Sequence, residues 1–256
     1  MNQHRRYRNP PVEEALCEFR FKPGPDWNLT IPGKLQSEIG DDYAGKPRQQ
    51  MVVDVGLEAQ RGRPSKLQYG EGLGKVQLVT PDEKRIVGIG PDVLSIHILR
   101  PYQTSPRPKE SGWNEFRPRI EKALGAYWKV AQPEGVIRIG IRYINKIVIP
   151  QKTLRIGDYL KCALPEVSGL PDDLKNFISR VEYAYEDGVR LVLSHGSIDA
   201  PADHRGFLLD LDMIWESSEP ILSDVALAKV DNLRTREREA FETIITDKVR
   251  EVFDAG

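Results

Sequence analysis

Apolar and polar residues alternate with a period of two in three segments of this chain. That period places successive side chains on opposite faces of a strand. Each segment therefore predicts a strand with one packed face and one polar face. The three segments are Val12–Lys22, Gly135–Ile149 and Gly206–Trp215.

Shorter strands separated by turn sequences are predicted elsewhere. Gln50–Leu99 predicts an antiparallel meander, because its short connections leave no room for crossover helices. One of its predicted hairpin turns is Gly70–Gly74. Farther along, Asp187-Gly188 predicts a type I′ turn between strands over Val181–Glu186 and Val189–His195. The meander strands are predicted over Met51–Leu57, Lys66–Gly70, Lys75–Val79, Arg85–Ile89 and Val93–Leu99.

Apolar residues spaced three and four apart predict the helices. The stripe is clearest over Trp113–Tyr127, where Pro118 either begins the long helix or kinks it. Helices are also predicted over Leu29–Tyr43 and Ser223–Phe253. The middle of the last one, Arg234–Glu239, is almost wholly charged, so it is expected to be solvated. Two short helices are predicted over Leu154–Leu164 and Pro171–Ser179.

The order of these elements predicts an α+β fold, with helices packed on one face of a large, curved antiparallel sheet. The chain is predicted to form a single globular unit over residues 1–256. An arrangement of two pseudo-repeated halves, with sub-domains 9–150 and 151–256, is the alternative, because no internal sequence repeat decides between them.

The composition is that of a globular protein with little net charge. The 256 residues include 37 Lys+Arg and 38 Asp+Glu, a formal charge of −1. This balance disfavours a protein that holds nucleic acid mainly by its overall charge, although a local basic strip stays open. Cys17 and Cys162 are too few for a disulfide framework or a zinc cluster. No secretion-signal pattern and no bilayer-length apolar run is present, which predicts a soluble, cytoplasmic protein without a membrane partner.

The strand over Gly135–Ile149 carries the most informative candidate residues. Tyr143 and Asn145 share its apolar face with isoleucines. An unpaired buried amide costs about 1–3 kcal/mol, so Asn145 needs a partner. It is either a structural staple of a central strand or part of a ligand site beneath the sheet. The opposite face carries three cations, Arg138, Arg142 and Lys146.

Asp210 and Asp212 lie on the polar face of the strand predicted over Gly206–Trp215, and they complement these cations if the two strands are neighbours. The pairing predicts either a weak ladder of exposed ion pairs or a charged binding surface for a partner. Two carboxylates two residues apart can also share a divalent ion. With His195 or His204 they form the alternative function, a metal-dependent phosphoesterase or nuclease. The spacing matches no established zinc pattern, so no metal site, cofactor or catalytic residue is assigned.

Several segments together carry a resemblance to one family. These segments are Asn9–Phe21, Gly112–Phe116, Arg138–Ile147, Phe207–Asp212 and Phe241–Asp247. With them the chain resembles a sporadically distributed prokaryotic family of about this length whose members have no assigned function. The Arg-Tyr-Ile-Asn segment is the most specific part of the resemblance. Members often carry a histidine where this chain has Arg234–Glu239, which weakens any scheme that needs a histidine on that helix.

The patchy distribution of that family resembles the distribution of genes on mobile or defence-associated islands. The resemblance therefore implies a non-catalytic protein-interaction module that works beside another protein, such as an antitoxin, an immunity factor or an accessory subunit. The predicted docking surface is the charged sheet face or the polar middle of the last helix.

Overall fold

In the computed structural model, nine strands of the described residues form a single antiparallel sheet. They are β1 (Val12–Lys22), β2 (Arg48–Glu58), β3 (Lys66–Val79), β4 (Arg85–Ile89), β5 (Val93–Leu99), β6 (Gly135–Ile149), β7 (Ile178–Ala184), β8 (Arg190–Ile198) and β9 (Arg205–Ile221). Their order across the sheet is β2-β3-β4-β5-β1-β6-β9-β8-β7. The structure describes residues 5–22, 24, 27–58, 66–103, 111–162 and 176–254, without the side chains of 50–74.

Four helices in the described part of the chain pack against one face of this sheet. They are α1 (Ile31–Ile39), α2 (Trp113–Ala131), α3 (Ser223–Ile244) and α4 (Asp247–Asp254). The predicted α+β fold is thereby confirmed, while the pseudo-repetition of its halves stays a prediction. Within the described residues, no helix combines the length and apolar character that crossing a bilayer requires.

The period-two pattern correctly assigned the two faces of the long strands. On β1 the side chains of Ala15, Cys17, Phe19 and Phe21 are buried and alternate with more exposed ones. Phe21 stacks on Tyr127 of α2, with ring centroids 4.5 Å apart, which places α2 on this side. We call this side the helix-covered face and the opposite side the open face. Burial raises the pKa of the Cys17 thiol well above its ordinary value, so this cysteine is a core residue rather than a nucleophile.

The predicted hairpin at Gly70–Gly74 is wrong. β3 continues through these residues from Lys66 to Val79, and Gly70 and Gly72 pair with β2. Glycine permits a turn but does not require one. A neighbouring strand that offers a continuous hydrogen-bond ladder keeps the segment extended.

The two short helices predicted before β7 are also corrected. Within the described residues, Leu154–Leu164 contains only a 3-10 turn over Ile156–Asp158. The prediction over Pro171–Ser179 is wrong at Ile178 and Ser179, which begin β7. Its residues 171–175 lie outside the described part of the chain.

The turn between β7 and β8 is a hairpin, as predicted, but it is not type I′. That type needs a positive φ at both central residues, and only Gly188 has one, at 80°. The Gly188 N–H donates to the Tyr185 carbonyl at 3.1 Å. This bond closes a four-residue turn from Tyr185 to Gly188. The left-handed conformation of Gly188 then directs the chain into β8.

Two helix boundaries that the sequence left open or misplaced are defined by the structure. α2 begins at Trp113 and continues through Pro118. The single helix predicted over Ser223–Phe253 is interrupted after Ile244, where Ile245 adopts an extended conformation and bridges to Leu160. Because this bridge fixes the backbone of Ile245, the remaining residues form a separate helix, α4.

Candidate functional site

The predicted site residues lie on both faces of the central strands β6 and β9. Tyr143 and Asn145 are buried on the helix-covered face. The five charged candidates lie on the open face, where β6 and β9 are neighbours. These are Arg138, Arg142, Lys146, Asp210 and Asp212.

Cross-strand ion pairs join the arginines of the open face to carboxylates. Arg142 donates two hydrogen bonds to Asp210, at 2.8 and 2.6 Å. Arg138 donates to Glu18 at 3.2 Å and to Glu216 at 3.1 Å. Both arginines are therefore already neutralised by neighbouring strands.

The ladder of ion pairs extends across most of the open face. Lys75 of β3 contacts Glu18 at 2.6 Å, and Arg190 of β8 contacts Glu216 at 2.7 Å. These pairs range from part-buried to exposed, and an exposed pair contributes only about 0–1 kcal/mol. Lys146 is exposed and forms no ion pair with the residues that the structure describes. The face offers a partner alternating charges rather than one dominant sign.

Asp212 differs from the other carboxylates of the open face. No described residue donates a hydrogen bond to it or lies within ion-pair distance. Burial raises its pKa from the ordinary 3.8 to about 6, against the opposing effect of Arg138 and Arg142. The folded protein therefore holds a proton on Asp212 more tightly than the unfolded chain does.

Asp212→Asn is expected to stabilise the protein at neutral pH. As pH rises from about 4 to 6, the unfolded chain loses this proton first, so the wild type loses stability in that window. Asparagine removes the penalty, which predicts a gain of about 1–2 kcal/mol in the free energy of unfolding near pH 7.5, and none below pH 4. Urea unfolding at both pH values measures the difference.

Asp210→Asn is the matched control, since it breaks the pair with Arg142 and is expected to lower stability at neutral pH. If Asp212→Asn also lowered stability there, attraction to Arg138 and Arg142 would outweigh burial.

The histidines considered with Asp210 and Asp212 lie apart from them. His195 pairs with Leu209 and so faces the helix-covered side, opposite to Asp210. Its ring is buried, and burial lowers its pKa. His204 lies in an irregular segment, where its Nδ1 contacts the Ala202 carbonyl. Among the described residues, no three His, Cys, Asp or Glu side chains are grouped to hold a metal ion.

A cavity of about 350 Å³ lies beneath β6 on the helix-covered face. Its walls come from the N-terminal segment, the residues after β5, the start of α2, β6 and the middle of α3. We call it the Arg234 cavity. Its lining includes Tyr102, Ser111, Trp113, Tyr143, Asn145, Arg234, Glu237 and Arg238.

Tyr143 and Asn145 form the sheet-side wall. The hydroxyl groups of Tyr143 and Tyr102 lie 2.8 Å apart in a hydrogen bond, and their rings meet edge to face. Asn145 Nδ2 donates to the carbonyls of Leu209 at 3.1 Å and Tyr143 at 3.3 Å. The amide therefore has backbone partners, as the staple interpretation expects, and it also borders the cavity.

Arg234 and Glu237 form a buried ion pair on the α3 side of the cavity. The guanidinium carbon of Arg234 lies 4.4 Å from the centre of the Tyr143 ring, a cation–π geometry. Glu237 is 2% exposed, and burial raises its pKa although Arg234 opposes the shift. The prediction that Arg234–Glu239 is solvated is therefore wrong at these two positions.

Two further polar groups of the cavity lack partners. Arg238 uses Nη2 to contact Glu242 at 2.8 Å and the Arg5 carbonyl. Its Nε and the Ser111 hydroxyl are buried, and neither has a hydrogen-bond partner among the described residues. Buried donors in folded proteins are nearly always bonded. Both residues belong to the lining of the cavity, so an acceptor bound there would lie next to these two donors.

Glu237 lies on the buried face of α3, although its charge led to the prediction that it is solvated. Val230, Leu233, Phe241 and Ile244 form the buried stripe of α3, and Glu237 occupies the missing position between them. Spacings of three and four residues mark the buried face whatever the residue type. That periodicity is the signal from which a buried carboxylate was predictable.

Neither a family model nor a curated protein matches this chain, so its resemblance to the sporadically distributed prokaryotic family stays a prediction.

Proposed function

We propose that the protein binds a small anionic molecule in the Arg234 cavity. The observation that carries this proposal is the pair of buried, unpartnered donors, Arg238 Nε and Ser111 Oγ. An unsatisfied buried polar group costs about 1–3 kcal/mol. A ligand that accepts hydrogen bonds from both atoms would remove that cost.

The charge of the walls favours an anion. Among the described residues, four arginines and two carboxylates line the cavity. Glu237 is already paired with Arg234, whereas Arg238 keeps an N–H without an acceptor. Guanidinium groups recognise planar carboxylates and phosphates through paired, charge-assisted hydrogen bonds. The lining residues are Arg5, Arg6, Arg234, Arg238, Asp231 and Glu237.

The size and aromatic content of the cavity favour a metabolite-sized ligand. Its volume of about 350 Å³ is near the lower end of the range for ligand sites, roughly 300–1,000 Å³. Tyr102, Tyr143 and Trp113 contribute ring surface to the walls. A molecule with one anionic group and a compact apolar or aromatic body fits this combination.

Arg238→Lys is expected to weaken such a ligand at least about tenfold, because lysine keeps the charge but has no Nε–H and no planar fork. The wild type is first screened by thermal shift against small carboxylates, inorganic phosphate, phosphate monoesters and nucleotides. Ligands that raise its melting temperature are then titrated by calorimetry into both proteins. Ser111→Ala should weaken the same ligands while leaving the charge unchanged.

Arg236→Lys is the matched control. Arg236 lies on the same helix but pairs with Asp187 outside the cavity, so this change should leave affinity unchanged. The proposal is wrong if no screened anion raises the melting temperature. It is also wrong if Arg238→Lys and Ser111→Ala both bind as tightly as the wild type.

Docking of a protein partner on the open face is a second candidate function. Its support is that the helices of the described residues pack on the other side, and that Lys146 and part of the ion-pair ladder are exposed. Arg138 and Arg142 are already paired with carboxylates of their own chain, which reduces the positive charge that they offer to a partner. A defence-associated role, a specific protein partner and a cytoplasmic location stay predictions.

The metal-dependent phosphoesterase has less support than either candidate. Asp210 is held by Arg142, and His195 lies on the other face of the sheet. Asp212 is left as the single open-face carboxylate of that scheme without an ion pair among the described residues.

A further inference from the structure

β7 is an edge strand with unusual exposed apolar surface. It pairs with β8 alone in the described sheet, so its outer backbone groups face away from the ladder. Its side chains include Ile178, 87% exposed, and Tyr183, 49% exposed. Four of the seven large hydrophobic side chains that are exposed in the described residues fall within positions 178–185. This concentration marks β7 as an interaction surface.

The strand lacks three devices that commonly keep edge strands apart, although it carries the charged residues Arg180 and Glu182. Natural edge strands are commonly protected by proline, lysine or a β-bulge. The sequence of β7, Ile-Ser-Arg-Val-Glu-Tyr-Ala, contains no proline or lysine. Its register with β8 runs without a bulge from Ile178 to Ala184. The outer edge is therefore regular enough to accept another strand.

The sequence of β7 is complementary to itself when two copies run antiparallel. Centring the pair on Val181 places Arg180 of one copy opposite Glu182 of the other, and does so twice. A two-fold axis perpendicular to the sheet keeps equivalent faces together, so the two Val181 side chains meet on the helix-covered side. Opposite charges across a strand pair stabilise it, and like charges destabilise it.

Charge also selects this register over its nearest alternatives. Centring the pair on Arg180 or on Glu182 would bring two like charges directly together. Glu182 Oε1 already accepts a hydrogen bond from Arg190 of its own chain at 2.7 Å. A carboxylate has two oxygens and about four acceptor sites, so Glu182 can also bind Arg180 of a second copy.

We propose that two copies of this chain associate through β7, antiparallel about Val181, and so join their two sheets into one continuous sheet. The contact is isologous, which closes a dimer and leaves no second β7 edge exposed. It lies apart from the Arg234 cavity, since no β7 residue lines that cavity. The dimer is therefore independent of the proposed ligand.

Molar mass measured by light scattering or sedimentation equilibrium tests the proposal. The wild type is expected at twice the 29.0 kDa of the chain, with dissociation on dilution. Arg180→Glu and Glu182→Arg should each raise the dissociation constant at least about tenfold, because each creates two like-charge pairs across the interface. An equimolar mixture of these two variants should dimerise again, since every cross-strand pair in the mixed dimer is then of opposite charge.

Lys84→Glu, an exposed charge reversal outside β7, should leave the dimer unchanged. Circular dichroism confirms that the β7 variants are folded, and recovery in the mixture shows the same independently. A wild type that stays monomeric at every concentration would overturn the proposal. A dimer insensitive to both charge reversals would do so as well, because association would then use another surface or another partner.

Discussion

Glu237→Ala is expected to lower the free energy of unfolding by about 3–5 kcal/mol, the cost of leaving a buried charge without its partner. Arg234 lies in the same buried pair, 15% exposed, and the substitution leaves its guanidinium without that carboxylate. Urea unfolding at neutral pH, with ΔG extrapolated to water, measures the loss. No other charged residue on α3 is buried so completely within the described part of the chain.

Glu239→Ala is the control for this substitution. Glu239 lies two residues away on the same helix and is exposed, so its loss should change stability by no more than about 0.5 kcal/mol. The double variant Arg234→Met, Glu237→Leu should recover most of the stability lost in Glu237→Ala, because it removes both buried charges together. A Glu237→Ala loss below about 1 kcal/mol would mean that Arg234 reaches solvent.

Phe21→Ala is expected to cost about 3–5 kcal/mol by leaving a cavity between β1 and α2. Phe21 is 1% exposed. Its ring stacks on Tyr127 at 4.5 Å and meets Trp128 edge to face at 6.3 Å. The substitution therefore removes both the burial of one ring and its aromatic contacts. Denaturant unfolding measures the loss.

Phe21→Leu supplies the comparison, because leucine fills much of the same space. It is expected to cost about 1–2 kcal/mol, less than half the loss for alanine. Equal losses for the two variants would mean that Tyr127 and Trp128 collapse onto the vacated space, or that α2 does not pack firmly on β1.

Predictions from the sequence were most accurate where one face of an element is buried along its whole length. β1, β6 and β9 follow the period-two pattern. Arg142 and Tyr143 were correctly assigned to opposite faces of β6. Predictions were least accurate where a residue type allows a turn without requiring one. Glycines at Gly70 and Gly72 allow a turn, and the pairing of β3 with β2 kept them in a strand.

Some features of the candidate site were likewise predictable from the sequence, and others were not. The burial of Asn145 follows from its position on the packed face of its strand. The pairing of Arg142 with Asp210 follows from complementary charge only once β6 and β9 are neighbours. The Arg234 cavity was not predictable, because its walls come from segments more than a hundred residues apart. The burial of Glu237 was not predicted, because the high charge of Arg234–Glu239 was given more weight than the three- and four-residue spacing of buried positions along α3.

The local pattern of side chains was sufficient to assign the fold class and the two faces of the central strands, since covalent geometry alternates side chains along any extended backbone. Strand order, the interruption after Ile244 and the enclosure of Glu237 beside Arg234 were decided only in the folded molecule. Each depends on which distant segments become neighbours in the folded chain. Those neighbours exclude water from a buried charge such as Glu237, and they also supply the opposite charge that stabilises it.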